Sequence, residues 1–182
     1  YCEFNFSPST QWAVYGFTMT YRETRDPRFL VGARKTADYF LRHLPPDNVP
    51  YWDFRAPGIP SARRDASAGA IAASGLLELG KFVSGRDGQR YAKAARRILT
   101  ALLSPAYLAE GTPSHGVLNH GVGNAPGKSE LDVSLIYGDY YLVEAMLRFM
   151  NSTPSSLTTS TWLSVTNGAP GPREPEGPET VE

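Results

Sequence analysis

Asp65-Ala66-Ser67-Ala68-Gly69-Ala70-Ile71-Ala72-Ala73-Ser74-Gly75 is the stretch that decides the architecture. Apart from Asp65 and Ile71, every side chain in it is Ala, Ser or Gly. A helix clothed in small residues presents no amphipathic stripe and lets neighbouring backbones approach from several sides. The stretch therefore predicts a central helix, Ala68 to Val83. Asp65 is read most economically as its N-cap, because an aspartate there accepts a hydrogen bond from an amide two or three positions on. Gly85 predicts its stop.

Two further helices are predicted upstream. Gln11 to Glu23 carries Trp12, Val14, Tyr15, Met19 and Tyr21 among small and polar residues, a pattern suited to a buried helix. Asp26-Pro27 then supplies a cap and a first-turn proline for Arg28 to Leu44, where Leu30, Ala33, Ala37, Phe40 and Leu41 recur at helical spacing until Pro45-Pro46. Downstream, Asp87 is expected to cap Gln89 to Leu103, whose buried stripe is Tyr91, Ala94, Ala95, Ile98 and Leu102. A long loop from Ser104 to Glu130 precedes a fifth helix, from about Asp132 to Met150. No strand is predicted. Amphipathic helices two and four alternate with apolar helices one, three and five, which implies hairpins arranged in an inner and an outer layer of an all-α fold.

The 182 residues are 41% hydrophobic, enough for one domain with a sizeable core. Charged or glycine residues interrupt every apolar run, so no membrane partner is expected. Eighteen basic and eighteen acidic residues cancel, and Arg63-Arg64 and Arg96-Arg97 are too short to track phosphates, so no nucleic-acid partner is expected. The single cysteine, Cys2, excludes an internal disulfide and a cysteine-based zinc site. His115 and His120 lack companions at metal-ligand spacing, so neither a metal nor a cofactor is predicted. From Asn151 onward Ser, Thr, Pro, Gly and Glu dominate, and 151–182 is expected to be a disordered tail despite Trp162-Leu163. Asn151-Ser152-Thr153 fits the glycosylation acceptor pattern.

Aromatic, imidazole and carboxylate groups concentrate in Gln11-Trp12, Tyr51-Trp52-Asp53-Phe54, His115 to Asn124, and Asp132 to Tyr141. Aromatic faces with a few fixed polar groups suit a sugar-binding cleft, because a pyranose offers both C–H faces and hydroxyl edges. Each residue also has a plainer reading, Trp12 and Trp52 as core, Asp65 as a cap. Asp139, inside an apolar helix, implies either an arginine partner or a site.

The strings Gln11-Trp12-Ala13-Val14-Tyr15-Gly16, Val49-Pro50-Tyr51-Trp52-Asp53-Phe54, Arg64 to Ala73, and Asp132 to Tyr141 together resemble the unsaturated glucuronyl hydrolases of glycoside hydrolase family 88. The resemblance runs from about Gln11 to Met150 and keeps the family's order and spacing. It implies a barrel of six helical hairpins, of which five helices here would be a C-terminal part of an (α/α)6 fold, with 1–10 a non-matching segment. It implies a hydrolase acting on unsaturated uronic-acid oligosaccharides left by polysaccharide lyases, by hydration of the C4–C5 double bond with a pair of aspartates. The family's aspartates precede the Trp12 motif by more residues than this chain has there. No catalytic residue is therefore assigned, and the chain alone is expected to be inactive.

Substrate contacts carried over are Trp12 as a stacking surface and Ser134 near the uronate carboxylate, with Trp52, Asp53 and His120 as cleft residues by position. An unsaturated rhamnogalacturonyl hydrolase and a non-catalytic carbohydrate-binding or interaction module are the alternative readings. Five helices cannot close a ring of twelve, so the edges of helices one and three are expected to expose apolar surface and drive self-association.

Overall fold

The alanine-rich stretch is the centre of the structure. In the computed structural model, which describes residues 10–152, the elements in chain order are α1 (Thr10–Thr24), α2 (Pro27–His43), α3 (Ala66–Phe82), α4 (Gly85–Leu102), β1 (Gly121–Asn124), β2 (Ser129–Val133) and α5 (Ile136–Met150). The expectations placed on Cys2, on Trp162-Leu163 and on nearly all of the 151–182 tail lie outside the described residues.

In α3, every residue from Ala66 to Leu79 is buried. It packs against α4 as the second arm of a hairpin and against α1 on another side, while α1 and α2 form the preceding hairpin. Small side chains allow this crowding. A Cβ on Gly75 would stand 3.0 Å from both Cα and N of Tyr15, so the α1 and α3 backbones meet there without room for one more carbon. The larger residues Ile71, Leu76 and Leu79 are fully buried and fill the remaining gaps. Each contributes roughly 1.5–3 kcal/mol by leaving water.

Two of the three predicted aspartate caps form. Asp26 accepts from the Arg28 amide at 2.9 Å, and Asp65 from the Ala68 amide at 3.2 Å. At α4 the expectation differs from the structure. The helix begins at Gly85 with Ser84 at the cap position, and Asp87 lies in its first turn, where its carboxylate pairs with Arg34 at 2.8 Å instead of capping.

The long loop holds strands that the sequence reading did not predict. β1 and β2 form an antiparallel hairpin in which Val122 faces Leu131 and Asn124 faces Ser129. Of its nine residues only Gly121 and Val122 are buried, so the alternation that normally announces a strand has almost no buried face to record. The backbone of β2 is unusual, with positive φ at Glu130 and Asp132, as at Lys128 before it. Asp132 thus belongs to β2, and the fifth helix starts at Ile136 rather than near Asp132.

A polar network ties α5 to α3 and α1. Glu144 accepts hydrogen bonds from Tyr15 (3.1 Å), from Ser74 and from Arg148 (3.2 Å), while Arg148 donates to the Ser74 carbonyl at 2.9 Å. Arg148 also pairs with Glu78 at 3.2 Å, and Glu78 with Arg22 at 2.8 Å. Opposed charges at this density compensate for taking carboxylates out of water. The far side of α5 is different. Ile136, Tyr140, Val143 and Leu147, at helical spacing, are 86, 60, 50 and 55% exposed. Open apolar surface therefore lies on α5, with Trp12, Phe17 and Met19 of α1 also exposed, and not on α3, where it was expected.

Candidate saccharide-binding site

Two tryptophans from distant segments line one cavity. Trp12 occupies the first turn of α1, and its ring leans on α5, 6.0 Å from the ring of Tyr137 and edge-on to Tyr141 at 5.3 Å. Trp52 belongs to the loop between α2 and α3. That loop is closed on itself: the Trp52 amide donates to the Arg63 carbonyl at 3.1 Å, and Arg64 lies 3.7 Å over the Tyr51 ring while pairing with Asp47 at 2.7 Å. Trp52 is thereby carried by a braced loop rather than a loose one.

The other walls come from the α3 and α5 N-termini and from the hairpin. Gln11, Asp65, Ser67, Tyr137 and the turn Val122–Pro126 complete a cavity of about 200 Å³. Gly138 permits this closeness, since a Cβ there would meet the Ser67 Cβ at 3.0 Å. Asp65 is 5% exposed. Its Oδ1 accepts from the Ser67 hydroxyl at 2.6 Å, the Ala68 amide at 3.2 Å and the Val122 amide of β1 at 3.3 Å. Burial pushes its carboxyl above the ordinary carboxylate range, and those donors only partly oppose the shift. Burial likewise raises the Tyr137 phenol, reinforced by the negative charge of Asp65 and moderated by a hydrogen bond with Ser67. The cavity combines three aromatic faces with amide, hydroxyl and carboxylate groups, which is the chemistry of a sugar subsite.

Of the residues proposed from sequence, Trp12 and Trp52 share this cavity, whereas Asp53, His120 and Ser134 do not line it. Asp53 closes a turn, its carboxylate accepting from the Arg55 amide at 2.8 Å. His120, with φ of 61°, stands beside β1; its Nδ1 is 2.5 Å from Asp132 and its carbonyl receives the Ala66 amide at 3.0 Å. Ser134 is 2.6 Å from the Ser114 hydroxyl and donates to Asn119 at 3.1 Å. It lines a separate, open depression with Ser114, His115, Gly116, Ile136 and Asp139. Asp139 has no arginine partner among the described residues; its two carboxylate oxygens accept from the Val117 and Leu118 amides at 3.0 and 2.9 Å. Backbone donors of the long loop satisfy it.

Among the wall residues that escaped the sequence reading are Gln11 and Tyr137, quoted only as parts of motifs, Ser67, and the hairpin turn from Val122 to Pro126. Asp65 was recognised as a cap but not as a wall. The available signal was that the helix it caps is apolar throughout, which forces the cap itself to be buried. Among the described residues, no three His, Cys, Asp or Glu side chains gather as a metal site, and no helix is long and apolar enough to cross a membrane.

No family model matches the chain. Curated proteins and solved structures do. An unsaturated glucuronyl hydrolase of Formosa agariphila is 44% identical over 143 residues, 77% of this chain and 35% of that protein. The crystal structure of an unsaturated glucuronyl hydrolase specific for heparin superposes with a TM-score of 0.74 at 39% identity, over 81% of this chain and 41% of the other. A mutant of the Streptococcus agalactiae unsaturated glucuronyl hydrolase, complexed with dGlcA-GalNAc6S, gives a TM-score of 0.73 at 30% identity, over 81% of this chain and 40% of the other. The chain thus spans little more than a third of the Formosa protein's length. Its helical hairpins are those of the six-hairpin glycosidase fold. By this identity and this superposition, about three quarters of the chain is homologous to part of the unsaturated glucuronyl hydrolases of glycoside hydrolase family 88.

Proposed function

We propose that this chain forms part of the saccharide cleft of an enzyme that removes the unsaturated uronic acid from oligosaccharides released by polysaccharide lyases. In that reaction a proton adds to one carbon of the C4–C5 double bond and the hydroxide of water to the other, and the hemiketal so formed opens to free the remaining sugar. Such chemistry needs a carboxylic acid that donates and accepts protons within reach of the double bond. The observation that carries the reading is the convergence of Trp12 and Trp52 with Gln11, Ser67 and Tyr137 on a cavity of single-sugar size.

Among the described residues Asp65 is the single carboxylate in that wall, and its Oδ1 is committed to three donors. Among the described residues no second carboxylate joins it, and the chain by itself is proposed to bind without turnover. Ser134, His120 and Asp53 are proposed contacts for parts of an oligosaccharide beyond the cavity, with Ser134 and its neighbour Ser114 offering hydroxyls to the uronate carboxylate. The exposed α5 face of Ile136, Tyr140, Val143 and Leu147 is proposed to make the isolated chain self-associate.

Isothermal titration of the chain with unsaturated disaccharides prepared from chondroitin and from rhamnogalacturonan tests the reading. Saturable binding of the chondroitin product supports it. Preference for the pectin product would shift the assignment to an unsaturated rhamnogalacturonyl hydrolase, and absence of both would remove the carbohydrate reading.

A further inference from the structure

One face of α4 is a ridge of positive charge. The helix carries Arg86, Arg90, Lys93, Arg96 and Arg97, all exposed, against a single acidic residue, Asp87. Arg86, Arg90, Lys93 and Arg97 recur at alternating intervals of four and three residues, so they share one side of the helix, with Arg96 at its edge. Tyr91, Ala94, Ala95 and Ile98 occupy the other side and are buried in the hairpin with α3. No described residue of α4 lines the tryptophan cavity.

Carboxylates neutralise only part of the ridge. Arg90 pairs with Asp38 of α2 at 2.5 Å and lies 3.9 Å from Asp87, which is itself held by Arg34 at 2.8 Å. Among the described residues no carboxylate forms an ion pair with Arg86, Lys93, Arg96 or Arg97. Arg96 instead lies 5.0 Å over the Phe149 ring, and Arg97 donates to the Asn48 side chain at 3.2 Å, contacts that leave both charges in place. Helix stability does not account for the arrangement. Like charges three and four residues apart repel, and Arg86 stands in the first turn, at the positive end of the helix dipole.

From Arg86 to Arg97 the ridge runs about 16 Å, with a cation every ~4.5–6 Å along the axis. A small anion meets one or two of these groups, whereas a chain with an anion on nearly every unit meets them all. Guanidinium groups pair with the planar carboxylate of a uronate and donate to the oxygens of a sulfate. We infer that the Arg86, Arg90, Lys93 and Arg97 face of α4 is a docking surface for a sulfated, uronate-containing polysaccharide chain, on the side of the helix turned away from α3. The choice of a uronate chain over another polyanion rests on the carbohydrate reading above, since such a chain is the parent of the oligosaccharides assigned to the cavity.

The test uses the whole chain and a chondroitin sulfate decasaccharide with saturated ends, which has no unsaturated uronate to offer the cavity. Isothermal titration at low salt should show saturable binding that weakens steadily as sodium chloride is added. Arg86→Gln, Lys93→Gln and Arg97→Gln together should weaken it by at least about tenfold, the sum of three exposed charge contacts, and flatten the salt dependence. Lys35→Gln, Arg42→Gln and Lys81→Gln together remove the same charge from exposed positions on α2 and α3. They should change the affinity by less than about threefold, and circular dichroism checks that both variants keep the fold. Absence of binding at low salt overturns the inference, as does an equal loss in the two variants. Single-stranded DNA of matched charge binding as tightly as the decasaccharide also overturns it. Tryptophan emission with an unsaturated chondroitin disaccharide separates the ridge from the reading beneath it. If the disaccharide binds and the decasaccharide does not, this inference falls and the reading stands; if the decasaccharide binds through α4 and the disaccharide does not bind, the reading falls and the ridge stands.

Discussion

The carboxylate of Asp65 and the backbone amide of Val122, 57 positions apart in sequence, are joined by a hydrogen bond of 3.3 Å. One oxygen thereby serves as helix cap and as hairpin anchor. It fixes the β1 wall of the cavity to the start of α3. Asp65→Ala should remove both, costing about 1–3 kcal/mol in chemical unfolding, while Asp65→Asn, which retains an acceptor, should cost less. The pH dependence has a definite sign. Because burial raises the folded-state pKa of this carboxyl, its contribution to stability is largest below the unfolded value and is lost as pH rises through the folded one. The melting temperature of the unaltered protein should therefore gain on that of Asp65→Asn as pH falls from about 7 to about 4. A gap that stays constant or moves the other way contradicts the burial argument.

At Gly75 the α3 backbone approaches α1 closely. A methyl group there would stand 3.0 Å from Tyr15 Cα and N, which are backbone atoms and cannot swing aside. Gly75→Ala should destabilise by about 1–3 kcal/mol despite its better helix propensity. Gly16, whose added Cβ would meet nothing within 4 Å, is the control. Gly16→Ala should be neutral or stabilising in the same thermal scan.

Tyr91 is fully buried and donates to Asp38 at 2.8 Å. Burial first, and then Asp38, push its phenol up to about 12. Tyr15, buried against Glu144, is likewise raised to about 12. Both protons are held by the folded state and released by the unfolded one between about pH 10 and pH 12, so stability that is present below pH 10 should be lost across that window. Tyr91→Phe should flatten the loss. A melting temperature unchanged from pH 9 to pH 12 in the unaltered protein would contradict it.

The exposed row Ile136, Tyr140, Val143 and Leu147 should make the isolated chain associate in sedimentation as concentration rises. Val143→Lys, placed in the middle of that row, should shift the population toward monomer. Equal sedimentation of the two proteins would assign any association to another surface.

The helical frame was legible because its causes are local. Asp26-Pro27, Asp65 and the spacing of Tyr91, Ala94, Ala95, Ile98 and Leu102 each act within a few residues, and small side chains from Ala66 to Gly75 specify close packing wherever it occurs. The family was legible because its motifs fall within those same helices and the Trp52 loop. The hairpin was not, since strands with almost no buried face leave no periodic trace. Nor was the second role of Asp65, or the satisfaction of Asp139 by the Val117 and Leu118 amides, because both depend on where a loop distant in sequence returns. Trp12 was carried into a cleft by its motif and Trp52 by position; the wall that joins them is made by tertiary contacts of Ser67, Val122 and Tyr137.

We propose that this chain carries a saccharide-binding wall of an unsaturated glucuronyl hydrolase and by itself does not turn substrate over. The most direct test adds an unsaturated chondroitin disaccharide to the purified chain and records tryptophan emission together with the ultraviolet absorbance of the double bond. A saturable change in emission with unchanged absorbance is the predicted result. Loss of absorbance in proportion to chain concentration, or a folded chain whose emission does not respond, would contradict it.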